Sequence, residues 1–221
     1  MKKVGLFVAL FVLPILTYLF FALGINDFMK LPIVTEQVRE LPQWKTLSEE
    51  NENPQLKNKI TILGFTGSDI SSIKGNLTNL AHKIYSKNKD FVDFQVVYVA
   101  PNGLQSEILD LLNEMQRTID MKNWYFVFAT NEEILSYYNQ LHLVGNLSEN
   151  TGTTQVYIID KELNLRGRKG KNKKGEEEYR EGYNTASAAD LHNEMADDVK
   201  VILAEYRAAL KKNNRKDNIT E

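Results

Sequence analysis

The amino-acid sequence predicts an α/β fold: a mixed sheet flanked by helices, preceded by one N-terminal transmembrane helix. Three observations carry that expectation. Between residues 60 and 206, short apolar runs of strand length alternate with longer stretches of helical periodicity. The last two strand-like runs follow each other with only a short polar break, which asks for an antiparallel pair in an otherwise parallel sheet. Residues 4–23, VGLFVALFVLPILTYLFFAL, hold no charged side chain.

That apolar run comes first in the chain. Its twenty residues, at helical rise, cover about 30 Å, the thickness of a hydrocarbon core. Pro14 would kink a helix in water, but membrane helices tolerate it. Lys2 and Lys3 precede the run and favour a cytoplasmic N-terminus. The expectation is a single-pass protein of the inner membrane, in contact with the lipid bilayer through residues 4–23, with everything after Gly24 periplasmic or otherwise extracytoplasmic. Ala22-Leu23-Gly24 has the small residues of a cleavage site, but the apolar core is longer than that of most signal peptides. A lipidated anchor needs a cysteine, and the chain has none.

The chain divides into an anchor at 1–26, a stalk with an edge hairpin at 27–55, a folded domain at 56–210 and a polar tail at 211–221. The stalk contains Pro32, Pro42, Pro54 and the run Glu49-Glu50-Asn51-Glu52-Asn53, with an edge strand or hairpin expected around Val38–Leu47. In the domain, Ile60–Phe65 reads as a strand. Lys74–Lys87 reads as a helix with Leu77, Leu80, Ala81 and Ile84 on one face, and Phe91–Val99 as a second strand. Leu104, Ile108, Leu111, Leu112, Met115 and Ile119 fall at offsets 0, 4, 7, 8, 11 and 15, an amphipathic helix. Trp124–Ala129 is the third strand. Thr130 with Glu133 makes a capping box for a helix carrying Ile134, Tyr137, Tyr138 and Leu141. Gln155–Asp160 and Leu163–Arg168 flank Lys161-Glu162 as a hairpin. Ser187 and Asp190 are cap candidates for a last helix with Leu191, Met195, Val199, Ile202 and Tyr206 as its buried stripe. The order βαβαβαββα places crossover helices on both faces of the sheet.

Composition bounds the function. Hydrophobic content of 43% and charged content of 25% belong to a folded chain, and a net charge of -2 argues against a nucleic-acid binder. Without cysteine there is no disulfide, no thiolate metal site and no thiol nucleophile.

Several stretches from about residue 56 to 206 resemble the Sco (SenC) family. They are Leu56-Lys57-Asn58-Lys59, Gly64-Phe65-Thr66, Asn76-Leu77-Thr78-Asn79-Leu80-Ala81, Trp124–Thr130 followed by Glu132-Glu133-Ile134, and Gln155–Asp160. The resemblance implies a thioredoxin-like fold behind one N-terminal membrane helix. It also implies a copper site built from a Cys-x-x-x-Cys-Pro loop and a distant His, used in cytochrome oxidase assembly. The cysteine positions fall on Ser68 and Ser72 when counted from Phe65-Thr66, and on Asp69 and Ile73 when counted back from Leu77. The His position falls at or near Gly152. Copper(I) seeks thiolate or thioether, whereas a serine hydroxyl is hard and protonated at neutral pH. The chain therefore reads as a degenerate member without the family's copper and redox chemistry.

Other constellations are weaker. Ser68 lacks the flanking glycines of a nucleophile elbow, with Thr66 and Ile70 in their places. Backbone N–H groups at Gly67-Ser68-Asp69 and Ser71-Ser72 suit an anion, but Asp69 repels one. His82, His142 and His192 lie on separate helical stretches, without metal-ligand spacing. Of the methionines, Met29 and Met121 are scattered, while Met115 and Met195 lie on core stripes. The segment 166–174 concentrates Arg166, Arg168, Lys169, Lys171, Lys173 and Lys174 ahead of Glu176-Glu177-Glu178. It suits an acidic partner patch or anionic headgroups, or else a solvated, mobile hairpin insertion. Asn76, Asn146 and Asn218 begin glycosylation triplets that matter only in a eukaryotic secretory route.

The expected function is a binding or assembly module, not an enzyme, without cofactor or metal, docking an envelope protein and tied to oxidase biogenesis if the family role extends to it. The expected contact surface is the former active-site rim: Gly67, Ser68, Asp69, Ser71, Ser72, Gly152, Thr153 and Thr154. Two alternatives stand beside it: a copper carrier or enzyme using ligands such as Asp69, Glu107 or His142, and a structural envelope protein.

Overall fold

The computed structural model describes residues 10–18, 30–47, 53–171 and 175–217, with the backbone alone from 208 to 217. Ten strands are described: β1 (Ile33–Thr35), β2 (Lys45–Thr46), β3 (Ile60–Thr66), β4 (Phe94–Pro101), β5 (Trp124–Ala129), β6 (Gly152–Ile159), β7 (Leu165–Arg166), β8 (Arg168–Lys171), β9 (Glu177–Arg180) and β10 (Tyr183–Asn184). The main sheet has the order β1-β7-β6-β3-β4-β5-β2, with β10 also pairing β6, and β8 with β9 forms a separate two-stranded sheet. β3, β4 and β5 are parallel, and β6 runs antiparallel to β3. This is the mixed, doubly covered sheet that the alternation of elements requires.

Side-chain alternation along the buried strands makes two cores. One face collects Ile60, Ile62, Val96, Tyr98, Trp124, Phe126 and Ile158. It lies under three helices: α1 (Ile70–Leu80, continued to Asn88), α2 (Gln105–Gln116) and α4 (Ala188–Asp190, continued to Asp217). The other collects Leu63, Phe65, Val97, Val99, Val127 and Tyr157, and packs on α3 (Asn131–Asn139) and on Val38, Leu41 and Trp44 of the N-terminal segment. Gly64 leaves room for the Tyr98 ring opposite it, since a Cβ there would lie 2.3 Å from Tyr98 Cε1.

Several sequence expectations are corrected. Of the two expectations for Val38–Leu47, the edge strand forms, as β2, and the hairpin does not. β1 pairs β7 at one edge of the sheet, and β2 pairs β5 at the other. The segment spans the apolar face instead of folding on itself, because Val38, Leu41 and Trp44 are all needed there. The turn between β6 and β7 is wider than Lys161-Glu162: the Asp160 carboxylate accepts from the backbone N–H of Glu162 (3.0 Å) and Asn164 (2.8 Å). The second strand begins at Phe94 rather than Phe91, since a turn joins Phe91 N–H to Asn88 and Phe94 N–H to Phe91. The first helix starts at Ile70, capped by Asp69, and includes a π turn at Ala81–Tyr85. A second π turn, Leu191–Met195, lies in α4. Each inserts a residue that rotates the following turn, keeping Ile84 and Tyr85, or Met195, on the core. Thr130 and Ser187 cap their helices as expected, the first in a full capping box, while Asp190 lies in the first turn of α4. His142 lies just beyond α3 at φ +52°, not within a helix. Residues 211–217 are helical rather than frayed.

Residues 10–18 are helical, and among the described residues no helix is long and apolar enough to cross a membrane. The remainder of the 4–23 run, the Ala22-Leu23-Gly24 site, Met29, most of the acidic run at 49–53, Lys173-Lys174 and Asn218 lie outside the described residues.

The basic stretch is not a mobile, solvated insertion throughout, because its two arginines point inward. Arg166 is buried, and its guanidinium donates to Asp160 (2.8 Å), to Glu205 on α4 (2.9 Å) and to the Leu31 carbonyl (2.7 Å). Arg168 donates through two nitrogens to Asp198 (2.8 and 3.1 Å), to Glu178 (3.1 Å) and to Glu194. Arg180 donates to Asp190 (2.5 Å). Asp190, Glu194 and Asp198 recur at four-residue spacing along one face of α4, with Glu205 further on, so three arginines from β7 and the β8–β9 ribbon clamp that helix. Burial alone would lower the pKa of the Arg166 guanidinium. Its hydrogen bond to Asp160 and the charge of Glu205 outweigh this and raise its pKa.

Replacing Arg166 by Met leaves Asp160, 1% exposed, without its countercharge. The Arg166→Met variant is expected to lose about 3 kcal/mol or more in urea unfolding, with the m-value unchanged. A loss under about 0.5 kcal/mol, the scale of an ordinary surface change, would show that the clamp is not a stabilising unit.

Candidate functional site

Loops gather at the carboxyl ends of the parallel strands. After β3, Gly67 turns the chain in the left-handed region (φ +69°), which glycine adopts without a Cβ penalty. Ser68 N–H then donates to the Asn150 carbonyl (3.1 Å), tying this loop to the one that precedes β6. Asp69 caps α1: its carboxylate accepts from Ser72 N–H (3.2 Å) and from the Ser71 hydroxyl (2.7 Å), while the Ser72 hydroxyl returns to the Asp69 carbonyl (2.9 Å). Ser68, Asp69, Ser71 and Ser72 are exposed, and Gly67 is buried beneath them.

The loop before β6 is equally ordered by its own side chains. Asn150 Oδ1 accepts from Gly152 N–H (3.1 Å), an Asx turn, and the Ser148 hydroxyl lies 2.7 Å from the Gly152 carbonyl. Thr151 is buried in the left-handed region (φ +61°), which is strained for a β-branched residue. Its hydroxyl reaches the Asn150 carbonyl (2.7 Å) and Asn131 Oδ1 at the start of α3 (3.3 Å). Thr153 accepts from Gln155 N–H (3.1 Å).

The two loops meet backbone to backbone. A Cβ on Gly152 would lie 2.9 Å from Gly67 Cα and from the Thr66 carbonyl oxygen. The position matching the family's histidine is therefore one where no side chain fits without moving backbone. Ser68 and Ser72 stand exposed on the other loop, and of the alternative cysteine positions Asp69 is the cap while Ile73 packs against the core. All eight residues expected at the rim thus lie on these two loops or in the adjoining first residues of α1 and β6. Ser148, Asn150 and Thr151 join them unanticipated, although Ser-x-Asn-x-Gly is a readable turn signal.

The alternative ligands Asp69, Glu107 and His142 are exposed on three separate segments. Among the described residues, no group of three or more His, Asp or Glu side chains is placed to hold a metal ion. Asp69, Glu107, Glu132, Glu133 and Glu149 are exposed around the rim, and segments 67–73, 102–107, 130–136 and 148–155 contain no Lys or Arg. The charges on these four segments are all acidic, with exposed Lys74 and Lys45 next to them.

No protein-family model and no curated protein matches the chain. Solved structures do match it. A SCO1/SenC family lipoprotein from Bacillus anthracis str. Ames is similar with a TM-score of 0.55 at 15% identity, covering 77% of this chain and 97% of its own. BsSco, a member of the Sco family of cytochrome c oxidase assembly proteins in which a disulfide switch was identified, gives 0.51 at 12% identity, covering 77% and 95%. At these identities the likeness shows the fold, which is thioredoxin-like and here carries no cysteine.

Two outcomes follow from the rim geometry. The Gly152→Ala variant should separate the loops and lower stability by about 1–3 kcal/mol, with amide shifts confined to residues 66–69 and 148–153; an unshifted spectrum would refute the contact. The Ser71 hydroxyl first, then Ser72 N–H, holds the Asp69 carboxyl below its ordinary value of about 3.9. Its folded pKa is depressed, so the cap's contribution is present above the unfolded value and is lost as pH falls through the folded one. A carbon-13 titration should find that low midpoint, and Ser71→Ala should move it upward.

Proposed function

We propose that this chain is a membrane-tethered, extracytoplasmic docking module: a thioredoxin-like domain that grips a partner protein at its rim and performs no thiol chemistry. The observation that carries the reading is the rim itself. Two loops are locked together through Gly67 and Gly152, and their own hydrogen bonds hold hydroxyls and carboxylates outward. Disulfide exchange needs a thiolate on the attacking side, and the chain contains no cysteine. What remains is a preorganised, strained and acidic surface, where little ordering entropy is lost on binding.

The matching partner surface is basic and rich in hydrogen-bond donors. BsSco belongs to a family of cytochrome c oxidase assembly proteins, so the partner proposed is an assembly intermediate of a respiratory oxidase. Residues 4–23 supply the tether to the inner membrane, with the domain on its outer side.

A photoreactive residue placed at Ser68 or Glu149 in the full chain, in native membranes, is expected to capture one discrete protein. The same reagent at Val92, 82% exposed at the opposite end of β4, should capture none. Reversing charge with Asp69→Lys and Glu149→Lys should abolish the adduct. No adduct from the rim, or the same adducts from Val92, would sink the docking reading. Stoichiometric copper surviving dialysis of the purified chain would point instead to a carrier with oxygen and imidazole ligands.

A further inference from the structure

The C-terminal helix α4 runs the length of the sheet, from the rim end to the end opposite. Just before it begins, Thr185 donates through its N–H and hydroxyl to the Thr154 carbonyl (2.9 and 2.7 Å) near the rim. At the far end, Tyr206 hydrogen-bonds Glu162 in the β6–β7 turn, and the Arg207 guanidinium stands 5.6 Å from the Phe91 ring ahead of β4. The N-terminal part of the chain enters at this same end. Lys30 lies 3.8 Å from Glu205, and Arg166 bridges the Leu31 carbonyl and Glu205.

Beyond Glu205 the helix continues to Asp217, about 18 Å at 1.5 Å per residue. This stretch carries Arg207, Lys211, Lys212, Arg215 and Lys216 against the single acid Asp217. Only residues 24–29 separate the apolar run from Lys30. Fully extended, such a linker reaches at most about 20 Å. If the run spans a bilayer, the end of the domain bearing Lys30 and Glu205 therefore lies within one helix-tail length of the headgroups. The acidic rim is at the other end.

We propose that the basic end of α4 docks on the anionic headgroups of the membrane that holds the anchor, so that the rim points away from the bilayer. The inference rests on the reading of residues 4–23 as a membrane span. Clustered lysines and arginines beside a membrane anchor are attracted to anionic lipid over roughly a Debye length, about 8 Å at physiological salt. The helix holds them there as a group, and repulsion of the rim carboxylates from the same surface favours the same orientation.

Because the chain has no cysteine, single-cysteine spin labels report cleanly. The full chain would be labelled at Leu13→Cys or Asn214→Cys and placed in lipid nanodiscs of phosphatidylcholine alone or mixed with phosphatidylglycerol. Collision with oxygen and with a water-soluble nickel chelate is then measured. The label at 13 is expected to be oxygen-accessible and nickel-protected in both lipids. The label at 214 is expected to lose about threefold in nickel accessibility in the anionic discs only. Replacing Lys211, Lys212, Arg215 and Lys216 by Gln should restore its accessibility. A label at 13 inside the bilayer with one at 214 equally wet in both lipids overturns the orientation while the anchor stands. Protection at 214 that survives the four Gln substitutions overturns headgroup charge as its cause. A label at 13 open to nickel overturns the anchor and the orientation together.

Discussion

Three arginines, one on β7 of the main sheet and two on the β8–β9 ribbon beside it, have carboxylates as partners, and the rest of the molecule is arranged around that pairing. A buried guanidinium left alone would cost several kcal/mol. Arg166 accordingly takes Asp160, Glu205 and the Leu31 carbonyl, while Arg168 and Arg180 take acids spaced along α4. The fully buried stripe of Leu191, Met195, Val199 and Ile202 sets which face of that helix meets the sheet. Fork-shaped donors matched to carboxylates admit one register. Tyr183, donating to Asp198 at 2.6 Å, adds a further directional contact from the adjoining strand.

With the helix in register, the two ends of the domain become chemically different. One end holds the converged loops after β3 and before β6, where backbone meets backbone at Gly67 and Gly152. The other receives the chain at Lys30 and sends out the basic tail of α4. Positive φ outside glycine occurs at both ends, in buried Thr151 at the rim and in Asn58 and Leu163 at the other. Ser71 and Ser72 at the rim have local duties. They cap and brace the first turn of α1 around Asp69.

Much of the fold was legible in particular residues. Trp124–Ala129 was read with both ends right, because a bulky apolar run followed by Thr-x-x-Glu leaves little ambiguity. The eight rim residues were placed through resemblance and counting, not through any local signal. The loop that completes the rim was missed because its hydroxyl and amide side chains act on their own backbone, a role shared with any surface turn. The run at 166–174 misled for a different reason. Charge is visible in sequence, but whether an arginine faces water or a carboxylate thirty residues away is not. In the Val38–Leu47 segment only the edge strand β2 was legible, since the apolar spacing of Val38, Leu41 and Trp44 serves a face of the sheet and not a hairpin partner.

By itself the sequence determined the number and order of the core elements, the covering of both sheet faces and the loss of thiol chemistry. These follow from periodicity and composition, which are properties of neighbours along the chain. Only the tertiary structure decided which charges are internal, that a residue at 152 must lack a side chain, and that the chain's entry and the basic helix tail share one end. Each of these is a distance between residues far apart in sequence, set by packing and by pairing buried charge, and no local pattern encodes it.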